Sequence, residues 1–175
     1  MTSEKNPILG ILAGVAGGLA ASWVMNEFMA GPGKKLQHTL QSNAENREEQ
    51  AHSGKAKEDA TMKVADAVVN TATGGRHLSW EGKQKGGPVV HYAFGALMGG
   101  IYGGLAEFSS DITAGFGTAF GGMLFSGADL LAVPALHLGP SPTTQSASSL
   151  ASPFAAHIVY GTTTELVRRI VRSAL

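Results

Sequence analysis

Four stretches of this chain are apolar, nearly free of charge and laddered with glycine, a combination that leaves few folds open. The first runs from Pro7 to Met29 with Gly10, Gly14 and Gly18 four apart, and it stays apolar until Asn26 and Glu27. The second, 88–106, carries Gly95, Gly99 and Gly103; the third, 113–133, carries Gly117 and Gly121; the fourth, 153–170, carries Gly161. Residues four apart share one face of a helix. In a water-soluble helix each such glycine costs about 1 kcal/mol relative to alanine. In lipid, small residues let helix backbones approach closely and pack by dispersion. A helix of about 20 residues, rising 1.5 Å per residue, crosses a hydrocarbon layer of roughly 30 Å. The pattern therefore predicts an all-α membrane protein, a single domain over 1–175. Four transmembrane helices, at about 8–29, 88–106, 113–133 and 153–170, would form two tandem hairpins.

An internal echo supports the pairing. His91-x-x-Phe94-Gly95 in the second stretch is answered by His157-x-x-Tyr160-Gly161 in the fourth, and Gly17-Gly18, Ser22 and Asn26 by Gly121-Gly122, Ser126 and Asp129. Paired self-similarity of this kind reads as a repeated two-helix unit.

Mean hydropathy, at +0.06, is low for a membrane protein because it averages two unlike parts. Residues 31–87 hold nine of the thirteen Lys and Arg, and the remainder is nearly uncharged. Gly31-Pro32-Gly33 stops the first span and a polar segment follows to about Ala56, read as loop or frayed helix. From Lys57 to Thr73, Met62, Ala65, Val69 and Ala72 recur at three or four and Gly74-Gly75 close the run. This predicts an amphipathic surface helix, with Trp80 as an interfacial anchor. Pro88 and Ser152-Pro153 read as helix starts, and Pro134 as the end or a kink of the third span. The first stretch is too long for a signal-peptide core and has no A-x-A exit, so it reads as an uncleaved span. Nine Lys and Arg in the first loop favour a cytoplasmic loop, whereas Arg168, Arg169 and Arg172 argue the other way.

Balanced charge, with no basic stripe beside exposed aromatics, gives no reason to invoke nucleic acid. The absence of cysteine removes disulfides, thiolate metal sites and a cysteine nucleophile. The Gly-x-Gly occurrences lie inside apolar helices, so they read as packing and not as phosphate loops. The expectation is a protein that is not an enzyme.

Alternating span direction puts Asn26, Glu27, His91, Asp129 and His157 at similar depth on one membrane face. Two imidazoles with one or two carboxylates would suffice for a divalent metal or a proton relay. No helix carries His-x-x-x-His or Glu-x-x-His, so nothing selects a metal or names a cofactor. The favoured expectation is hydrogen bonding of His91 and His157 across the hairpins to Asn26 or Asp129. Glu165 lies eight residues beyond His157, about 12 Å deeper. It can pair with Arg168 or Arg169 on its own helix, or reach towards the space left by Gly99 in the second stretch. The expected partners are the lipid bilayer and either further membrane subunits or copies of the same chain, because the glycine ladders offer more close-packing faces than one small bundle needs.

Ser-Trp-Val-Met-Asn26, His91-Tyr-Ala-Phe-Gly95, Leu-Ala-Glu107, Ala-Val-Pro134-Ala-Leu, His157-x-x-Tyr-Gly161 and Thr-Glu165-Leu-Val-Arg-Arg169 together resemble the YagU-like bacterial inner-membrane proteins, a family of unknown function. The resemblance spans most of the chain outside residues 35–55. It implies a multi-pass protein of the bacterial inner membrane, with an association with acid resistance in at least one relative. It implies no catalytic residues. The residues thus point to a structural or accessory membrane subunit, with a proton or ion conduit through the His and carboxylate groups as the alternative.

Overall fold

The computed structural model describes residues 5–52 and 57–175, and every regular element among them is helical. Helix α1 (Pro7–Ala30) is capped by Asn6, whose side chain accepts the Leu9 N–H at 3.2 Å. Two short helices, α2 (Pro32–Leu40) and α3 (Asn43–His52), occupy the polar segment. Helix α4 (Ala60–Thr73) starts at Asp59, which accepts the Met62 N–H at 2.9 Å, and stops at Gly74, which takes the left-handed conformation (φ 68°) that the turn demands.

Helix α5 (Trp80–Ala106) begins two turns before Pro88, which is interior to it, with Ser79 as cap. A 3-10 segment (Ser110–Gly117) breaks at Ala114–Phe116 before α6 (Thr118–Leu124), a π-helical stretch (Phe125–Ala132) and the single turn α7 (Val133–Ala135). Helix α8 (Ala147–Ala174) is capped by Ser146 and has Pro153 inside it. The expected starts at Pro88 and Pro153 are thus corrected. In both cases a serine upstream caps the helix, and the proline costs only one backbone hydrogen bond within a long rod. The expected start of the third stretch at 113 is also corrected: regular α-helix begins at Thr118.

Among the described residues, three rods are long and apolar enough to cross a membrane: Pro7–Ala30, Trp80–Ala106 and Ser110–Ala135. Helix α8 is as long but more polar, because Ser152, His157, Thr164, Glu165 and Arg168 all point into the bundle and are buried. Helix α1 packs on α5 and on α8, and α8 packs in turn on α6. The order across the bundle is α5, α1, α8, α6. Outward-facing Ile8, Leu12, Trp23, Leu97, Ile101, Leu166 and Ile170 form an exposed apolar coat. In water such a surface would drive aggregation; against lipid tails it carries no penalty.

The glycines explain these contacts. A Cβ on Gly14 would fall on the Gly99 carbonyl, one on Gly18 on the Gly95 carbonyl, and one on Gly103 on the Gly10 carbonyl. Between α8 and its other neighbour, Gly117 meets Gly161 and Gly121 meets His157, backbone to backbone. All nine ladder glycines are therefore used inside the chain, whereas Gly122 has no neighbour within 4 Å. The register of the echo also shifts. Gly95 rests on Gly18 and Ser22, and Gly161 on Gly117 and Gly121, so Gly18 corresponds to Gly117 and not to the Gly122 of the sequence echo.

Candidate functional site

The gap between α5 and α6 is a cavity of about 890 Å³, floored by α1 and α8 and roofed by the start of α4. Ser22 and Asn26 from α1, His91 from α5, Asp129 from the π-helical stretch and His157 from α8 all line it. Four of the six polar residues singled out in the sequence thus share one space. Glu27 is exposed and faces elsewhere, and Glu165 lies deeper in the bundle. Apolar wall is supplied by Met25, Met29, Met98 and Met123, with Phe94 beside them.

Both imidazoles reach across to the neighbouring helix, but neither forms a side-chain hydrogen bond with Asn26 or Asp129. His91 Nε2 lies 3.4 Å from the Ser22 carbonyl oxygen. His157 Nδ1 is 2.9 Å from the Pro153 carbonyl of its own helix, and 3.7 Å from Asp129 Oδ2. The wide turns of the π-helix bring Asp129 opposite His157; such insertions are frequent at functional sites. No hydrogen-bond donor reaches the Asp129 carboxylate among the described residues, and it faces the cavity part-exposed. No group of three or more His, Asp or Glu arranged to hold a metal ion occurs among the described residues.

Below the cavity lies an aromatic layer. The Tyr160 hydroxyl donates to the Gly95 carbonyl at 2.6 Å, Phe120 packs between Tyr160 and Tyr102, and Tyr102 stacks on Phe120 at 4.4 Å. The Tyr102 hydroxyl then donates to Glu165 Oε2 at 2.9 Å. Glu165, fully buried, also receives Arg168 Nε at 2.7 Å and Nη2 at 3.0 Å, and Arg169 Nε at 2.6 Å. Both guanidinium groups named as partners in the sequence are engaged at once. The Gly99 side offers no opening, because the backbone of Gly14 and Gly18 fills it. One further layer down, Arg172 clamps Glu107 through Nε at 2.8 Å and Nη2 at 3.1 Å, and Glu107 accepts the Asn6 N–H at 3.0 Å. The Arg172 guanidinium holds the Glu107 carboxyl below the ordinary range.

Helix α4 is fixed over the cavity by charge and by glycine. Gly86 and Gly87 of α5 admit Ala65 and Met62. Asp66 accepts from the Leu78 N–H at 2.6 Å, lies 2.9 Å from His77 Nδ1, and shares Lys83 with Glu58. The His77 ring first, then the Leu78 N–H and Lys83, bring the Asp66 carboxyl down to about 2. The sequence reading missed Tyr102, Tyr160, Phe120 and this anchor. Tyr160 stood inside the echoed motif, and Asp66 to Lys83 is a contact between elements that no periodicity reports.

No curated protein and no solved structure matches the chain. A family model described as a protein of unknown function, DUF1440, matches residues 69–166, more than half of the chain, and this span contains His91, Asp129, His157 and Glu165. The chain therefore belongs to the DUF1440 family of proteins of unknown function.

Proposed function

We propose that the protein is a multi-pass membrane protein, crossing four times with α8 as the fourth span, that binds a small molecule in a one-sided cavity. The inner membrane is its proposed site, in keeping with the YagU-like resemblance. The cavity itself carries the reading: about 890 Å³, within the size range of small-molecule sites, with an apolar wall and a few convergent polar groups. Its one-sidedness follows from the floor. Tyr160, Phe120 and Tyr102 fill the bundle beneath it, and Glu165 has its oxygens bonded to two arginines and a tyrosine. A carboxylate so engaged is poorly suited to carry protons, which counts against a conduit through Glu165.

Because the chain has no cysteine, single cysteines test the reading directly. In sealed proteoliposomes, a membrane-impermeant maleimide should label Asn26→Cys and Met98→Cys from one side only. Ile101→Cys, on the lipid-facing coat, and Thr164→Cys, below the aromatic layer, should stay unlabelled. Labelling of Met98→Cys from both sides, or from neither, would overturn the proposal. An accessory-subunit role is the second reading, favoured by Gly122, which lies outside the cavity lining and has no neighbour within 4 Å, leaving a close-approach point open on the third rod. Native mass spectrometry in mild detergent should then find an assembly, and a strictly monomeric protein would count against it.

A further inference from the structure

We infer that the ligand of this cavity is an amphipathic organic cation, such as a lipophilic amine, with its charged head at Asp129 and its apolar body against Met25, Met98 and Phe94. The inference rests on the cavity reading above and goes further in naming charge. No Lys or Arg lines the cavity. Asp129 is a carboxylate that faces it without a hydrogen-bond donor, and its nearest basic group, His157 Nδ1, stands at 3.7 Å and already has the Pro153 carbonyl at 2.9 Å. An ionised carboxylate bordering a low-dielectric space is costly until a counter-charge or donor meets it. The second acid on the wall, Asp59, is spent on capping α4: it accepts from Thr61 Oγ1 at 2.7 Å and the Met62 N–H at 2.9 Å. Lys63 is the nearby cation at the rim, and its ammonium is held by the Leu138 carbonyl at 2.8 Å.

The remainder of the wall suits a bulky apolar cation. Methionine side chains are flexible and polarisable and adapt to irregular shapes. Phe94 and Tyr160 present aromatic rings, which attract cations lying over their faces. An anionic or phosphate-bearing head would instead meet Asp129 and Asp59, with no lysine or arginine on the wall to receive it.

The test uses two ions of nearly the same size and opposite charge, tetraphenylphosphonium and tetraphenylborate, titrated against the full chain in zwitterionic-lipid nanodiscs, with empty nanodiscs as background. The cation should bind saturably and the anion at least about tenfold more weakly, the equivalent of one modest ion pair. Asp129→Asn should weaken the cation by about tenfold and leave the anion unchanged, and Asp129→Glu should restore most of the loss. If Asp129→Asn fails to fold, the wild-type ratio of cation to anion decides the question. Met98→Trp, which fills the cavity, should then block the cation. Equal affinity for both ions, or insensitivity to Asp129→Asn, overturns the charge assignment while leaving a ligand cavity in place. Absence of saturable binding by either ion overturns the cavity reading as well.

Discussion

Replacing Glu165 by Gln conserves volume and removes one charge, and the surroundings determine what that removal costs. Four hydrogen bonds converge on the carboxylate: one from Tyr102, two from Arg168 and one from Arg169. The two arginines differ in their freedom to respond. The Arg169 side chain is 53% exposed and can turn out to solvent or lipid phosphate, so its share is worth at most about 1 kcal/mol. Arg168 is 10% exposed and has nowhere to turn. A buried guanidinium stripped of its partner costs about 3–5 kcal/mol. At about 2–4 °C per kcal/mol for a chain of this size, Glu165→Gln should lower the melting temperature in detergent by roughly 6–20 °C, and Arg169→Ala by no more than about 4 °C. The double variant Glu165→Leu with Arg168→Met removes both buried charges and should melt above Glu165→Gln alone. A melting temperature for Glu165→Gln within 2 °C of wild type would refute the reasoning, and so would a double variant less stable than the single one.

Two glycines give a contrasting pair. Gly99→Ala should destabilise strongly, because its Cβ meets the backbone of Gly14 and Gly18, whereas Gly122→Ala should be neutral or gain up to about 1 kcal/mol, since nothing lies within 4 Å. Thermal unfolding of both in the same detergent decides it, and equal losses would show that the α1 to α5 contact is not set by backbone approach. The anchor of α4 should depend on acid. Asp66 titrates at about 2 in the fold against about 3.9 when free, so its contribution is complete above about pH 4 and is lost as pH falls towards 2. Hydrogen exchange of the α4 amides should rise across that window in wild type and be high already at pH 5 in Asp66→Asn; a wild-type profile flat from pH 5 to 2 would contradict the assignment.

Much of the bundle is legible in the sequence for a reason particular to lipid: backbone contacts require glycine, and glycine is visible. The ladder Gly10, Gly14, Gly18 meets Gly103, Gly99, Gly95 in the antiparallel order that two adjoining helices impose. Span parity, which needs no contact information, was enough to bring Asn26, His91, Asp129 and His157 to one space. Boundaries were harder to read. Pro88 and Pro153 mark helix starts in most sequences, yet a capping serine further upstream outweighs a single missing hydrogen bond. The polarity of α8 misleads in another way, since its charges are satisfied by the bundle and not by water. The π-helical offset that sets Asp129 against His157 leaves no trace in a period-based reading, because it is a change of period itself.

The order α5, α1, α8, α6 carries a consequence for assembly. The two central helices are the first and the last of the described helices, so the bundle interior is divided between segments far apart in the chain. Helices α1 and α5 can lock together by their glycines as soon as both are inserted. Helix α6 cannot do the same: its packing surface, Gly117 and Gly121, is shaped for α8. Until α8 arrives, the Gly17 face of α1 and the glycine face of α6 are both uncovered, and the cavity has only part of its floor. Biogenesis should therefore proceed through a waiting state of one finished hairpin and one solitary span. In that interval an insertase or chaperone able to shield a glycine-rich helix would matter most.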